Sequence, residues 1–251
     1  MTVGLFIPCY IDQFYPQVGR ATLELLEKLD VKVEYPAEQT CCGQPMANTG
    51  GEMASLATYR HFVDTFSRYD YIVAPSGSCT HHVRHHYDVL PDSQALTHVR
   101  RQTYDLVEFL VDILKVESLP AYFPHRVGLH QSCHGLRGLR LGHGSERVGE
   151  DFSKLAYLLG LVEGVERVSL NRVDECCGFG GTFAITEPAV SVKMGKDRLR
   201  DHLSNGAEVL TAGDTSCLMH LEGLIRRQGL PLRVMHLAEI LNQPAKTTVA
   251  S

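Results

Sequence analysis

Eight cysteines are the residues through which this sequence could do chemistry: Cys9, Cys41, Cys42, Cys79, Cys133, Cys176, Cys177 and Cys217. They run as a single residue, a vicinal pair and a single residue, and then in the same order again. The intervals are 31 and 36 residues in the first half and 42 and 39 in the second. Each pair is followed by glycine, Gly43 or Gly178, and each last cysteine has a histidine three positions on, His82 or His220. Order, spacing and flanking residues repeat together, so the chain reads as a duplicated unit. The period is too long for a solenoid, whose repeats run ~20–50 residues.

Four thiolates per half is the ligand count of an iron–sulfur cluster. Gly43, Gly178, Gly180 and Gly181 stand where backbone N–H groups would have to approach sulfur. Zinc also accepts four thiolates, but its structural sites usually grow from C-x₂₋₄-C knuckles, and neither half has one. Zinc stays as the alternative. A third reading, thiol–disulfide exchange at the vicinal pairs, requires a strained ring between adjacent residues. His82 and His220 are candidate further ligands, or hydrogen-bond partners of a sulfur, or the start of a helix. His81, His85, His86, His134 and His143 are expected to be solvated or core histidines. Arg137 and Arg140 could offset thiolate charge or meet an acidic substrate, and a solvated helix face serves equally for them and for Lys193, Lys196, Arg198 and Arg200. Gly178-Phe179-Gly180-Gly181 fits no phosphate-loop or dinucleotide fingerprint, and no nucleophile elbow marks a catalytic serine.

The elements that must position the cysteines follow from local pattern. Strand-like runs precede the single cysteines: Val3–Ile7, Tyr71–Ala74, Val127–Leu129 and Val209–Thr211. Helical patterns lie between, at Arg20–Leu29, Glu52–Tyr69, Leu106–Leu114, Phe152–Leu159, Pro188–Leu203 and Leu218–Gln228. Strand and helix in alternation predict an α/β fold of two similar lobes, parallel sheets flanked by helices, with the cysteines on strand-end loops where ligands of such sheets bind. Two prolines between Glu117 and Pro124 mark the expected boundary, giving one cysteine-rich domain over 1–120 and a second over 121–251. Pro244–Ser251 reads as a frayed tail.

Composition narrows the classes. The chain has 251 residues, 44% of them hydrophobic and 21% charged, which is the balance of an ordinary globular protein. No segment approaches the roughly 18 apolar residues of a membrane span. A net charge of −5 argues against a nucleic-acid partner, which is held through a surplus of Lys and Arg. The residues after Met1 lack a basic n-region, so the expected address is the cytoplasm, where reduced cysteines favour metal or redox use.

The motif of a cysteine, about thirty or more residues, Cys-Cys-Gly, a similar gap and a last cysteine resembles the cysteine-rich CCG-domain family. That family includes the cysteine-rich subunit of heterodisulfide reductase and the iron–sulfur subunit of glycolate oxidase. The length and the lack of a C-x₂-C-x₂-C-x₃-C segment bring the chain nearest to the family's lactate-utilization branch. Where the reductase pattern ends in Cys-x-x-Cys, this chain has Cys79-Thr-His-His82 and Cys217-Leu-Met-His220, leaving four thiolates per half. The resemblance implies a [4Fe–4S] cluster in each half. It also implies an electron-transfer subunit working with other iron–sulfur subunits of a complex that oxidises L-lactate, or a similar 2-hydroxy acid, to the 2-oxo acid. A zinc-stabilised scaffold and a heterodisulfide-type thiol reductase are the alternatives.

Overall fold

In the computed structural model, residues 1–246 are described. The first half builds a four-stranded sheet from β1 (Thr2–Leu5), β2 (Lys32–Glu34), β3 (Tyr71–Ala74) and β4 (Thr103–Asp105), in the order β2-β1-β3-β4. The second half repeats it with β5 (Arg126–Leu129), β6 (Glu166–Arg167), β7 (Val209–Ala212) and β8 (Arg233–His236), in the order β6-β5-β7-β8. Every strand pairing in both sheets is parallel. The expected α/β duplication is therefore the observed one.

Helices follow the strands: α1 (Cys9–Phe14), α2 (Pro16–Lys28), α3 (Gln44–Ala47), α4 (Leu56–Phe66), α5 (Gly77–His86), α6 (Gln94–Gln102) and α7 (Leu106–Glu108) in the first half. The second half has α8 (Lys154–Gly160), α9 (Phe183–Thr186), α10 (Pro188–Ser204), α11 (Thr215–Gln228) and α12 (Leu237–Leu241). The central strands read as unbroken apolar runs because both of their faces are covered, as parallel sheets require. One core is shared between the lobes: Val3, Leu5 and Leu25 pack in the same cluster as Val127, Leu158 and Leu237. Two further cores lie on the outer faces. The first is aromatic, with Phe6 edge-on to Phe62 at 4.9 Å and to Phe66 at 5.7 Å. The second is aliphatic, built around Leu199, Leu210, Leu218 and Leu221.

The duplication reaches further than the cysteines. Tyr104-Asp105-Leu106-Val107-Glu108-Phe109-Leu110 and Met235-His236-Leu237-Ala238-Glu239-Ile240-Leu241 are equivalent, and each opens a helix with a capping box, Asp105 with Glu108 and His236 with Glu239. These terminal helices cross over: α12 packs on α2 of the first lobe, and α7 packs on α8 of the second.

Local differences from the sequence pattern have local causes. Proline at the first helical position carries α2 back to Pro16. The run from Glu52 to Tyr69 divides into a 3₁₀ turn, Glu52–Ser55, and α4. The helix over Leu106–Leu114 is α7 continued by π-type turns, Phe109–Ile113. The edge strands β2, β4, β6 and β8 are two to four residues long, too short for alternation to reveal. The supposed tail is anchored at its start, where the Pro244 carbonyl accepts from Tyr122 N–H at 3.0 Å and Lys246 pairs with Glu163 at 3.2 Å; residues 247–251 lie outside the described part.

Two glycines give opposite expectations. A Cβ at Gly4 in β1 would stand 2.4 Å from the Tyr69 ring, whereas one at Gly223, exposed on α11, would touch nothing within 4 Å. Chemical denaturation of Gly4→Ala should show a loss of about 1–3 kcal/mol. Gly223→Ala should instead gain about 0.5–1 kcal/mol from helix propensity.

Candidate metal centre

The four cysteines of each lobe come together because β1, β3, β5 and β7 release the chain at one edge of their sheets. Cys9 opens α1 and Cys79 is the third residue of α5; in the second lobe Cys133 caps a π-helical turn, His134–Gly138, and Cys217 is the third residue of α11. The single cysteines thus follow strand ends as expected, but they belong to helix starts rather than to loops.

The vicinal pairs arrive on the loops before α3 and α9. Gly43 (φ +86°) and Gly178 (φ +91°) hold left-handed backbone there, and a Cβ would sit 2.5 Å from the Tyr59 ring in one case and 2.6 Å from the Ser191 carbonyl in the other. In that conformation Gly43 N–H donates to Cys41 Sγ at 3.3 Å and Gly178 N–H donates to Cys176 Sγ at 3.4 Å. Phe179 N–H adds a bond to Cys177 Sγ at 3.4 Å. The glycines after each pair are therefore required by geometry at the sulfurs.

Thiol contacts run from Cys9 to Cys41, on to Cys42 and then to Cys79, and in the second lobe from Cys133 to Cys176, Cys177 and Cys217. Cys9 and Cys41 sulfurs are 3.6 Å apart, beyond bonding distance, and all eight cysteines are free. Hydrogen bonds from Cys42 and Cys9, helped by Gly43 N–H, draw the Cys41 pKa down to about 3 against its burial. Cys133 and Cys177 do the same for Cys176, down to about 2. Their hydrogen-bond partners move the other way: Cys9, Cys42, Cys133 and Cys177 are pushed up by donating to these sulfurs and by burial. Each lobe thus sets one thiol drawn toward its thiolate beside two pushed the other way, a soft, sulfur-rich donor set of the kind that takes iron–sulfur clusters or zinc.

Both sets open onto the same space. Cys9, Cys42 and Cys79 from one lobe and Cys133, Cys176, Cys177 and Cys217 from the other line a single cavity of about 710 Å³. Among its lining, Ser76 and Asp214, each three residues before a cysteine, form an antiparallel bridge. The buried Asp214 carboxylate accepts from Ser78 N–H at 2.7 Å and from Ser216 N–H at 3.1 Å, so one side chain caps the starts of both α5 and α11.

The histidines divide. His82 is buried, its Nε2 3.0 Å from the Tyr59 hydroxyl and its ring stacked on His86 at 4.9 Å. His220 stands beside Gly195 instead of a tyrosine, and its Nε2 has no partner among the described residues. His81, His85 and His134 gather at the seam of α5 and the π-helical turn, with His81 4.5 Å from His85 and 5.3 Å from His134. Burial first, and then His134, lowers the His81 pKa to about 4. Arg137 is engaged by Glu146 at 2.8 Å and Asp174 at 2.9 Å, and Arg200 pairs with Asp197, so these lie in surface ion pairs. Arg198, expected on a solvated face, is instead wholly buried beside Asp201.

One residue escaped the sequence reading. His130 is wholly buried, and its ring offers a nitrogen that lies, with the sulfurs of Cys177 and Cys217, in a group whose donor atoms are all within 4.8 Å of one another. Its signal was present: Gly4-Leu5-Phe6-Ile7-Pro8-Cys9 laid over Gly128-Leu129-His130-Gln131-Ser132-Cys133 sets His130 opposite Phe6.

The thiol order has a consequence for metal-free protein. Free cysteine with a pKa near 9 is almost wholly protonated at pH 6, whereas hydrogen bonds from neighbouring thiols draw Cys41 down to about 3 and Cys176 down to about 2. Iodoacetamide at pH 6 should label these two first, at a rate nearly flat from pH 5 to pH 8, while Cys42 and Cys177 stay unlabelled. Peptide mass spectrometry reads the order.

The cysteine-rich CCG domain family matches residues 3–84 and 127–222, one match for each lobe. A protein of Exiguobacterium sp. called lactate utilization protein A is 41% identical over 97% of this chain and 98% of its own length. Proteins of the same name from Halalkalibacterium halodurans and Geobacillus kaustophilus are each 39% identical, over 98% and 96% of this chain and 99% of theirs. Among solved structures, glutamate racemase RacE1 of Bacillus anthracis covers 96% of this chain and 78% of its own at 12% identity and a TM-score of 0.34, a likeness too loose to bear on function. Two matched domains, each centred on a Cys-Cys-Gly loop, and full-length relatives near 40% identity make this chain a member of the cysteine-rich CCG-domain family.

Proposed function

We propose that the chain is an iron–sulfur electron-transfer subunit of a multi-component system for lactate utilization. The observation that carries this reading is the single cavity lined by cysteines of both lobes, Cys9, Cys42 and Cys79 from one and Cys133, Cys176, Cys177 and Cys217 from the other. The relatives named for lactate utilization supply the physiological setting. We read 1–120 and 121–251 as the two cluster-binding units. Cys9, Cys41, Cys42 and Cys79 hold one [4Fe–4S] cluster, and Cys133, Cys176, Cys177 and Cys217 hold the other.

A cluster in each lobe supplies one-electron chemistry that no side chain of the chain can offer. The protein's own part is to bind, orient and shield. Cys41 and Cys176 present thiolates, and the N–H groups of Gly43, Gly178 and Phe179 point at sulfur, where they lower the negative charge of a thiolate site. Asp214 locks the two helices that carry Cys79 and Cys217, which fixes the separation of the two sets. The partners in this reading are other iron–sulfur subunits, and the substrate of the complex is L-lactate or a similar 2-hydroxy acid. Among the described residues no helix is long and apolar enough to cross a membrane. Eight free thiols suit a reducing cytoplasm.

Protein purified without oxygen should contain iron and acid-labile sulfide in equal amounts, about eight of each per chain for two [4Fe–4S] clusters. Cys42→Ser and Cys177→Ser should each remove roughly half of that iron, by colorimetric assay. Stoichiometric zinc without sulfide would replace this reading with that of a zinc-stabilised scaffold. Activity of metal-free protein in disulfide reduction would favour the thiol–disulfide alternative.

A further inference from the structure

The two lobes are alike in backbone, and one of the positions at which they differ lies beside the cysteines at the end of the first strand of each sheet. Phe6 N–H donates to the Val73 carbonyl at 2.9 Å and His130 N–H donates to the Thr211 carbonyl at 2.8 Å, so the two residues occupy the same place at the ends of β1 and β5. Phe6 lies edge-on to Phe62 and Phe66 on α4, within an apolar core cluster. His130 brings two ring nitrogens into the corresponding interior. Neither has a hydrogen-bond partner among the described residues, although the side chain is wholly buried.

A buried imidazole with both nitrogens unpaired is costly, and native interiors rarely leave such a group without a partner. Arg198 and His202, four residues apart on α10, are both buried, and each has nitrogens without partners of its own. What stands next to His130 in the direction of the cavity is sulfur: Cys177 and Cys217, with all three donor atoms within 4.8 Å of one another. Metal–nitrogen bonds of about 2.0–2.1 Å and metal–sulfur bonds of about 2.3 Å keep the ligands of one ion within about 4.5 Å of each other. The triad therefore has nearly the spread of donors on a single ion before any metal draws it together.

We propose that His130 is a nitrogen ligand of the metal centre in the second lobe, a donor for which the first lobe has only the ring of Phe6. The proposal rests on the reading of the cysteine sets as metal centres and deepens it. His82 is held by Tyr59, so the first lobe lacks an equally free buried imidazole next to its sulfurs. Where the imidazole takes the place of one of the four thiolates assigned to that lobe, the centre carries one negative charge less and its potential rises relative to an all-thiolate one, as His-for-Cys replacement does in Rieske centres. The two lobes would then differ in potential, with the second the stronger electron acceptor.

The test is pulsed electron paramagnetic resonance on reduced holoprotein, with iron and sulfide measured on the same samples, for wild type, His130→Phe and His130→Cys. The expected result is a strong ¹⁴N coupling of a directly bound imidazole in wild type that vanishes in both variants. In His130→Cys, one of the two redox transitions should move to a more negative potential while the other stays. Wild-type protein with full iron and sulfide but only weak nitrogen couplings would overturn the proposal and leave the electron-transfer reading intact. Wild-type protein with zinc and no sulfide would overturn that reading, and X-ray absorption of the zinc shell would then decide for His130. A nitrogen lost in His130→Phe supports ligation, and an all-sulfur shell in wild type refutes it. The wild-type spectra decide even if a variant fails to fold.

Discussion

The two cysteine sets can share one cavity only if the helices that carry Cys79 and Cys217 start at the same place, and the Asp214 carboxylate makes them do so. It accepts from Ser78 N–H on one side of the lobe seam and from Ser216 N–H on the other, at a point where Ser76 and Asp214 pair across the internal repeat. Helix starts leave backbone donors that need acceptors, and here a single buried side chain serves two of them. The sulfurs of Cys79 and Cys217 sit one residue beyond the capped positions. The shared core beneath, with Val3 and Leu5 in the same cluster as Val127 and Leu237, keeps the lobes from parting, and the crossing of α12 onto α2 and of α7 onto α8 closes the seam from both sides.

Duplication set the frame, and divergence within it gave the halves different interiors. The outer face of the first lobe is filled with rings, Phe6, Tyr59, Phe62, Phe66 and Tyr87, of which Tyr59 also holds His82. On the corresponding face of the second lobe the buried side chains include His130, Arg198 and His202, and Gly195 stands where His220 has no tyrosine to meet. The phenylalanine rings of the first lobe offer no donor to metal or proton, whereas imidazole and guanidinium carry donors and charge into the matching space of the second. The lobes thus keep one geometry of sulfur and differ in what surrounds it.

Much of this was legible in the sequence because the cysteine spacing is a record of the duplication. Tyr71–Ala74 and Val209–Ala212 are apolar runs covered on both faces, and such runs announce themselves. The Cys-Cys-Gly loops were also legible, since glycine at a left-handed position is nearly obligatory where no Cβ fits. The edge strands were not, because two to four residues carry too little pattern; nor was α6, whose burial rests on Leu96 and Val99 alone. Arg198 was misplaced to the surface because sequence marks its charge but not the helix face that turns it inward, where Asp201 and the Arg172 carbonyl receive it.

By itself the sequence determined the thiol inventory: four thiols per half, their order, the glycines beside them and the internal repeat that makes two sets rather than one. These are properties of residue type and spacing, and local conformation is enough to express them. Only the tertiary structure decided that both sets face one cavity, that Asp214 joins their helices, and that His130 lies against Cys177 and Cys217. The physical reason is that each of these is a contact between segments far apart in the chain, 136 residues in the case of Ser78 and Asp214. Such contacts depend on how two sheets pack across a common core, which no local pattern encodes.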